Sequence, residues 1–329
     1  MLTSRLISLY FCPLTIQECD NQTTELVKSW LPEDELIKVN RYIKQEAKTQ
    51  GLMVRGYLRA LLSQHSEIRP NEWRFEYGDK GKPRLSDAQF AQTGVHFNVS
   101  HSGDWLLVGI CTADNKGASQ ASKEETDSAS IEFGVDIERC RNSTNIHSIL
   151  SHYFSESEKR ALLALPEALQ RDRFFDLWAL KESYIKAKGL GLALSLKSFA
   201  FDFSALSETF LGVNAPKSLS HCVDISDAIA DHKVEHQLNQ RQVLLKQDIG
   251  LALLESSSNK PNAEPQKSGL GLIEAKEQQM NAADNWHCLL GHLDDSYRFA
   301  LSIGQCQQIS IAAEEVNFKA VVRASAKTS

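Results

Sequence analysis

The sequence predicts an α+β protein made of two halves that meet near residue 130. Three observations carry this expectation. The chain has 329 residues, beyond the roughly 250–300 at which one hydrophobic core stops growing. Apolar residues recur at steps of three and four in some segments and of two in others, in the order strand, helix, hairpin, then strand, helices, strands. Between the two series, residues 112–130 are almost wholly small and polar, which reads as an exposed insertion. The expected halves are 1–130 and 131–329.

Each element has its own signal. Met1–Cys19 has one arginine, an apolar run from Leu6 to Leu14 broken by Pro13, and no small-x-small cleavage site, so it reads as a first strand rather than a leader. From Pro32 to Leu62, residues Leu36, Val39, Tyr42, Ile43, Ala47, Leu52, Leu58 and Leu61 keep helical spacing. Tyr77–Arg84 is punctuated by Gly and Pro and reads as a loop. Val95–Val99 and Trp105–Cys111 read as strands joined by a hairpin connection, Ser100–Asp104. A strand runs from Ile131 to Glu138. Ser155–Leu165 and Arg171–Lys188 read as helices, the first opened by a Ser155/Glu158 capping box. Residues 204–283 are polar and irregular and read as a second insertion. Trp286–Leu290 and Tyr297–Ile303 return as strands, and the last dozen residues read as a frayed tail.

Composition excludes several classes. Net charge is −6, against the basic excess of a general nucleic-acid binder. The seven cysteines are odd in number and never spaced as C-x-x-C, which argues against a disulfide framework or a zinc site and for a reducing compartment. No stretch reaches the roughly 20 apolar residues of a membrane helix. A soluble, cytoplasmic protein is expected.

Two segments carry chemistry. In Ile131–Glu138 the apolar residues share one face, and Asp136 and Glu138 are next-but-one neighbours on the other. Such a pair suits a hard cation, because Mg²⁺ takes oxygen ligands and usually one or two carboxylates plus substrate phosphates; the same alternation also describes a half-buried strand with a solvated face. In the helix, Trp178, Glu182 and Lys186 fall on one line at steps of four. Glu182 and Lys186 suit an i,i+4 ion pair of about 0.2–0.5 kcal/mol, or equally a ligand and a charge stabiliser at one phosphate. His101, between Ser100 and Ser102, and Lys82, between Gly81 and Pro83, sit in short turns where they are surface residues or anion contacts. Lys38, Arg55 and Arg59 add positive charge to the first helical stretch or simply solvate it.

Taken together, these residues resemble the surfactin-type 4'-phosphopantetheinyl transferases. Gly81-Lys-Pro83, Phe97-Asn-Val-Ser-His-Ser102, Gly134-Val-Asp-Ile-Glu138 and Trp178-Ala-Leu-Lys-Glu-Ser-Tyr-Ile-Lys186 match that family's blocks in identity and order. The likeness spans residues 30–203 and, loosely, Trp286–Ile303. The chain departs from the family in its longer insertions, in Ser195 where a proline is common, and in Glu35 near one of two basic positions, with Lys38 at the other.

The resemblance implies two pseudo-symmetric α+β halves with the active site between them. It implies transfer of phosphopantetheine from coenzyme A to a serine of an apo acyl carrier protein, or of a carrier domain of a fatty-acid, polyketide, polyunsaturated-fatty-acid or nonribosomal-peptide synthase. Asp136, Glu138 and Glu182 are implied as ligands of Mg²⁺ or Mn²⁺. Glu182, directly or through a metal-bound water, is the implied base, and Lys186, with Lys181 as second candidate, the charge stabiliser. Lys38, Arg55, Lys82, Pro83, Ser100 and His101 are implied at the adenosine and 3'-phosphate end of coenzyme A. Arg171, Arg173 and Lys188 offer a place for an acidic carrier helix. Two fused halves making one cleft favour a monomer. Two other readings use the same residues: a metal-dependent phosphodiesterase acting on a nucleotide with water as nucleophile, and a non-catalytic nucleotide-binding protein.

Overall fold

The computed structural model describes residues 4–78, 81–113, 131–216, 240–254 and 280–327. The chain opens with β1 (Ser4–Pro13), followed by α1 (Asn21–Trp30), α2 (Glu33–Asn40) and α3 (Gln45–Ser63). A two-stranded hairpin, β2 (Phe75–Tyr77) with β3 (Pro83–Leu85), sets Tyr77 opposite Pro83. Then come α4 (Asp87–Thr93), β4 (His96–Ser102) and β5 (Trp105–Ala113). The second series is β6 (Phe133–Arg139), α5 (Ile146–Tyr153), α6 (Glu156–Leu163), α7 (Glu167–Lys188) and β7 (Phe199–Asp202). It continues with β8 (Ser207–Asn214), β9 (Gln240–Gln247), β10 (Gly250–Leu254) and β11 (Met280–Ala282). It ends with β12 (Trp286–Asp294), β13 (Tyr297–Gly304), β14 (Gln308–Glu315) and α8 (Phe318–Lys327).

Among the described residues, nine strands form one mixed sheet in the order β4-β5-β1-β14-β8-β9-β12-β13-β6. The sheet curls so that its two ends face each other across a shared core. Ile7, Leu9 and Phe11 of β1 pack there with Val135 and Ile137 of β6 and Phe299 and Leu301 of β13. A second core lies under α1–α3, and a third under α5–α7.

Several expectations change here. The helical run from Pro32 to Leu62 is two helices, because Tyr42 and Ile43 have no apolar surface to cover and stand exposed between α2 and α3. The stretch 204–283 is no single insertion: it contains β8–β11, with β8 and β9 paired from Ser207↔Gln247 to Asn214↔Gln240. Polar outer faces hid these strands from a hydrophobic pattern. Residues 217–239 and 255–279, like 114–130 of the first expected insertion, lie outside the described residues. The last dozen residues, expected to be a frayed tail, are instead α8 as far as Lys327. Phe318, Val321 and Val322 are buried, and the Tyr57 hydroxyl of α3 donates to Pro13 O and Val316 O at 3.0 and 3.1 Å. Because β14 runs parallel to β1 from Ser4↔Gln308 to Phe11↔Glu315, residues 308–327 complete the first half rather than the second.

Candidate active site

Strand β6 carries the acidic face, and α7 lies directly upon it. The contact is close because residue 134 is glycine. A Cβ there would stand 2.2 Å from Ser183 O and 2.4 Å from Ala187 N, so a larger residue would push α7 off the strand. The i,i+4 line along α7 then brings Glu182 and Lys186 over Asp136. The Lys186 ammonium reaches Asp136 Oδ1 at 2.7 Å and Ser100 Oγ at 2.6 Å, and Ser100 donates to the same carboxylate oxygen at 2.8 Å. The other oxygen, Asp136 Oδ2, is buried and has no hydrogen-bond partner among the described residues.

The electrostatics are those of a crowded acidic cleft. Burial, followed by the charge of Asp136 and opposed by Lys186, pushes Glu182 up to about 7. Burial, then Asp136, raises Glu138. Burial also raises Asp136, against the pull of Lys186 and Ser100. Three carboxylates therefore draw on the Lys186 ammonium, with Arg141 also acting on Glu138. The side chains themselves do not form a closed cage: among the described residues no three His, Cys, Asp or Glu side chains are disposed to hold a metal ion. A magnesium site does not require one, since substrate phosphates commonly supply part of the shell. The orphaned buried Asp136 Oδ2 and the under-neutralised carboxylates have the chemistry such an ion fits.

A cleft of about 290 Å³ opens beside this cluster. Lys82, Pro83, Asn98, Val99, Glu182 and Lys186 are among its lining residues. Of the residues singled out from the sequence, Asp136, Glu182, Lys186 and Ser100 come together, and Glu138 lies close enough to raise Glu182. Pro83 lines the cleft.

Others stand elsewhere. His101 is not in a turn but in β4, opposite Leu106, because the strand continues to Ser102 and the turn is only Gly103-Asp104. Its ring keeps solvent contact, yet the surrounding protein and then the Lys186 ammonium lower its pKa. Lys82 does not offer a free ammonium to a phosphate. Its three donors reach Lys186 O (2.5 Å), Phe133 O (3.3 Å) and Ala187 O (3.5 Å). Lys38 pairs with Asp34 at 3.2 Å and lies over the Tyr77 ring. Arg55 donates to Gly51 O and faces Glu35, which Arg59 holds in a two-pronged pair at 2.8 and 3.1 Å. Neither Lys38 nor Arg55 lines the cleft. Lys181 points away from it, into the third core, bonded to Glu158 (2.9 Å), Leu196 O and Phe199 O. Arg171 holds the Arg141 and Thr144 carbonyls, Arg173 lies over Phe203, and Lys188 pairs with Glu132.

Sequence reasoning missed Asn98 and Ser102. Asn98 Oδ1 accepts from Val135 N at 3.0 Å, and Ser102 Oγ accepts from Arg139 N at 3.1 Å. The signal was present: residues 98, 100 and 102 alternate at the strand period. Ending the strand at Val99 concealed it.

Residues 132–235 match the model of the 4'-phosphopantetheinyl transferase superfamily, and residues 18–112 match that of the 4'-phosphopantetheinyl transferase N-terminal region. The chain is 30% identical over 192 residues to the 4'-phosphopantetheinyl transferase HetI of Nostoc, covering 58% of this chain and 72% of that one. It is 29% identical over 201 residues to the transferase Sfp of Bacillus subtilis, covering 61% and 78%. It is 28% identical over 188 residues to the human L-aminoadipate-semialdehyde dehydrogenase-phosphopantetheinyl transferase, covering 55% of each.

Proposed function

This chain belongs to the 4'-phosphopantetheinyl transferase superfamily, and from that membership we infer that it moves the 4'-phosphopantetheine group of coenzyme A onto a serine of an apo carrier protein. The serine Oγ attacks the β-phosphorus of coenzyme A. A new O–P bond forms, the bridging P–O bond breaks, and adenosine 3',5'-bisphosphate leaves. The nucleophile belongs to the partner, so none is needed here.

The observation that carries the reading is the meeting of Ser100, Asp136, Glu182 and Lys186 beside an open cleft. Phosphoryl transfer is catalysed mainly by positioning and charge neutralisation, and these groups suit both. Glu182, held near neutral pH, is the group to take the serine proton. Lys186 opposes the rise that burial gives Asp136 and places an ammonium at the phosphates. Asp136, Glu138 and Glu182 would hold Mg²⁺, or Mn²⁺. Bound there, the ion would neutralise charge on the pyrophosphate. His101 and Pro83 lie on the two strands that flank the cleft and are assigned to the adenosine end. The carrier is an acyl or peptidyl carrier protein or domain of a fatty-acid, polyketide, polyunsaturated-fatty-acid or nonribosomal-peptide system, and the enzyme acts as a monomer in the cytoplasm.

The intact mass of apo carrier proteins from these systems, after incubation with coenzyme A, Mg²⁺ and this protein, tests the reading. One added phosphopantetheine, lost on chelation and restored by Mg²⁺, is expected. Carriers left unmodified across all types, or coenzyme A cleaved without any acceptor, would sink it.

A further inference from the structure

Strands β4 and β6 are the two ends of the nine-stranded sheet, and each is paired with one neighbour only. In an antiparallel pair, the backbone groups of alternate residues point to the partner and those between point away. Gly304 N donates to Glu132 O, so the even-numbered residues of β6 face β13. The odd-numbered ones form a free edge, which a folded protein has to cover or pair. Side chains of the first half do so. Lys82 donates to Phe133 O, Asn98 accepts from Val135 N, and Ser102 accepts from Arg139 N.

These contacts keep register. Asn98 with Val135 and Ser102 with Arg139 are both 37 residues apart in sequence, so β4 and β6 run parallel without slipping. Asp136 sits between the two anchors. The same Lys82 ammonium also holds Lys186 O, at the end of α7, where a positive charge is favoured by the helix's exposed carbonyls. Thus the groups that fix Asp136 from below also fix Lys186 from above, and those two meet at 2.7 Å.

We propose that Lys82, Asn98 and Ser102 are positioning residues of the transfer reaction, a side-chain seam that replaces a backbone ladder along β6 and sets Asp136 against the last turn of α7. The proposal rests on the transferase reading above for its effect on rate, though not for its effect on the fold. None of the three needs to touch the reacting atoms, although Lys82 and Asn98 line the cleft and Ser102 also hydrogen-bonds Glu138. Their removal lowers kcat and leaves KM for coenzyme A nearly unchanged.

The test combines kinetics with amide hydrogen exchange on the full chain. Asn98→Ala and Ser102→Ala should each speed exchange at Val135 or Arg139 by about tenfold, the scale of one net hydrogen bond. They should lower kcat by about tenfold or more, with KM for coenzyme A within about twofold. Ser102→Thr keeps the acceptor oxygen and should restore most of both; Lys82→Arg should outperform Lys82→Met in the same way. Should Asn98→Ala fail to fold, Ser102→Ala at the far end of the seam carries the test. Unchanged exchange at both amides overturns the proposal, as does a rise in KM with kcat intact, which would mark these residues as coenzyme contacts. Absence of any transfer by the unaltered protein overturns the functional reading instead, and the exchange result still decides whether the seam exists.

Discussion

Glu182 is the residue whose chemistry depends most on its surroundings. An ordinary glutamate titrates near 4.5, and burial with Asp136 beside it moves this one to about 7. Between those values the folded protein holds a proton that the unfolded chain releases, so stability falls as pH rises from about 4.5 through about 7. Glu182→Gln removes that slope. Melting curves at pH 5 and pH 8 should show the variant gaining on the parent at the higher pH. Its transfer rate should fall by about 10²–10⁴, the usual contribution of a general base. A variant with parental rate would remove Glu182 from the base role. Asp136, Glu182 and Lys186 were legible in the sequence because a period of two and a step of four define which side chains share a face. Lys82 and Lys181 were not, since the carbonyls and the Glu158 carboxylate that engage them come from other segments of the chain.

At the scale of elements, the site depends on one helix lying on one strand. Gly134 permits a separation that no side chain allows, since its Cβ would fall inside backbone atoms of Ser183 and Ala187. Gly134→Ala should destabilise by about 1–3 kcal/mol and, at temperatures where it remains folded, lose transfer activity by parting Lys186 from Asp136. Thermal unfolding read beside single-turnover transfer checks this; full activity with a lowered melting temperature would show that α7 tolerates the shift. The amphipathic pattern and the Ser155 capping box marked α6 and α7 well. It failed at β4, where the last three residues are Ser, His and Ser and read as turn chemistry. Of these Ser102, like Asn98 earlier in the strand, accepts from a strand 37 residues away, a relation that no local pattern encodes.

For the whole molecule, the division into halves is legible in the periodicities, but the path of the chain between them is not. β14 lies between β1 and β8, and α8 covers α3. Deleting residues 318–329 would uncover the surfaces that Phe318, Val321 and Val322 bury. At about 1.5–3 kcal/mol per side chain this is comparable with the whole stability of a domain. The truncated protein should be insoluble or melt well below the full chain by calorimetry; an unchanged melting temperature would mean that α8 is dispensable. The helix gave little warning, because Phe318, Val321 and Val322 are its only large apolar residues, too few to stand out as a helical period.

The parallel pairing of β1 with β14 has a consequence for synthesis. β1 waits for a strand some 300 residues downstream before its second edge is covered. Contacts so distant in sequence are slow to form. During translation β1 has only its antiparallel neighbour β5 to cover it until the roughly 300 residues between it and β14 have left the ribosome.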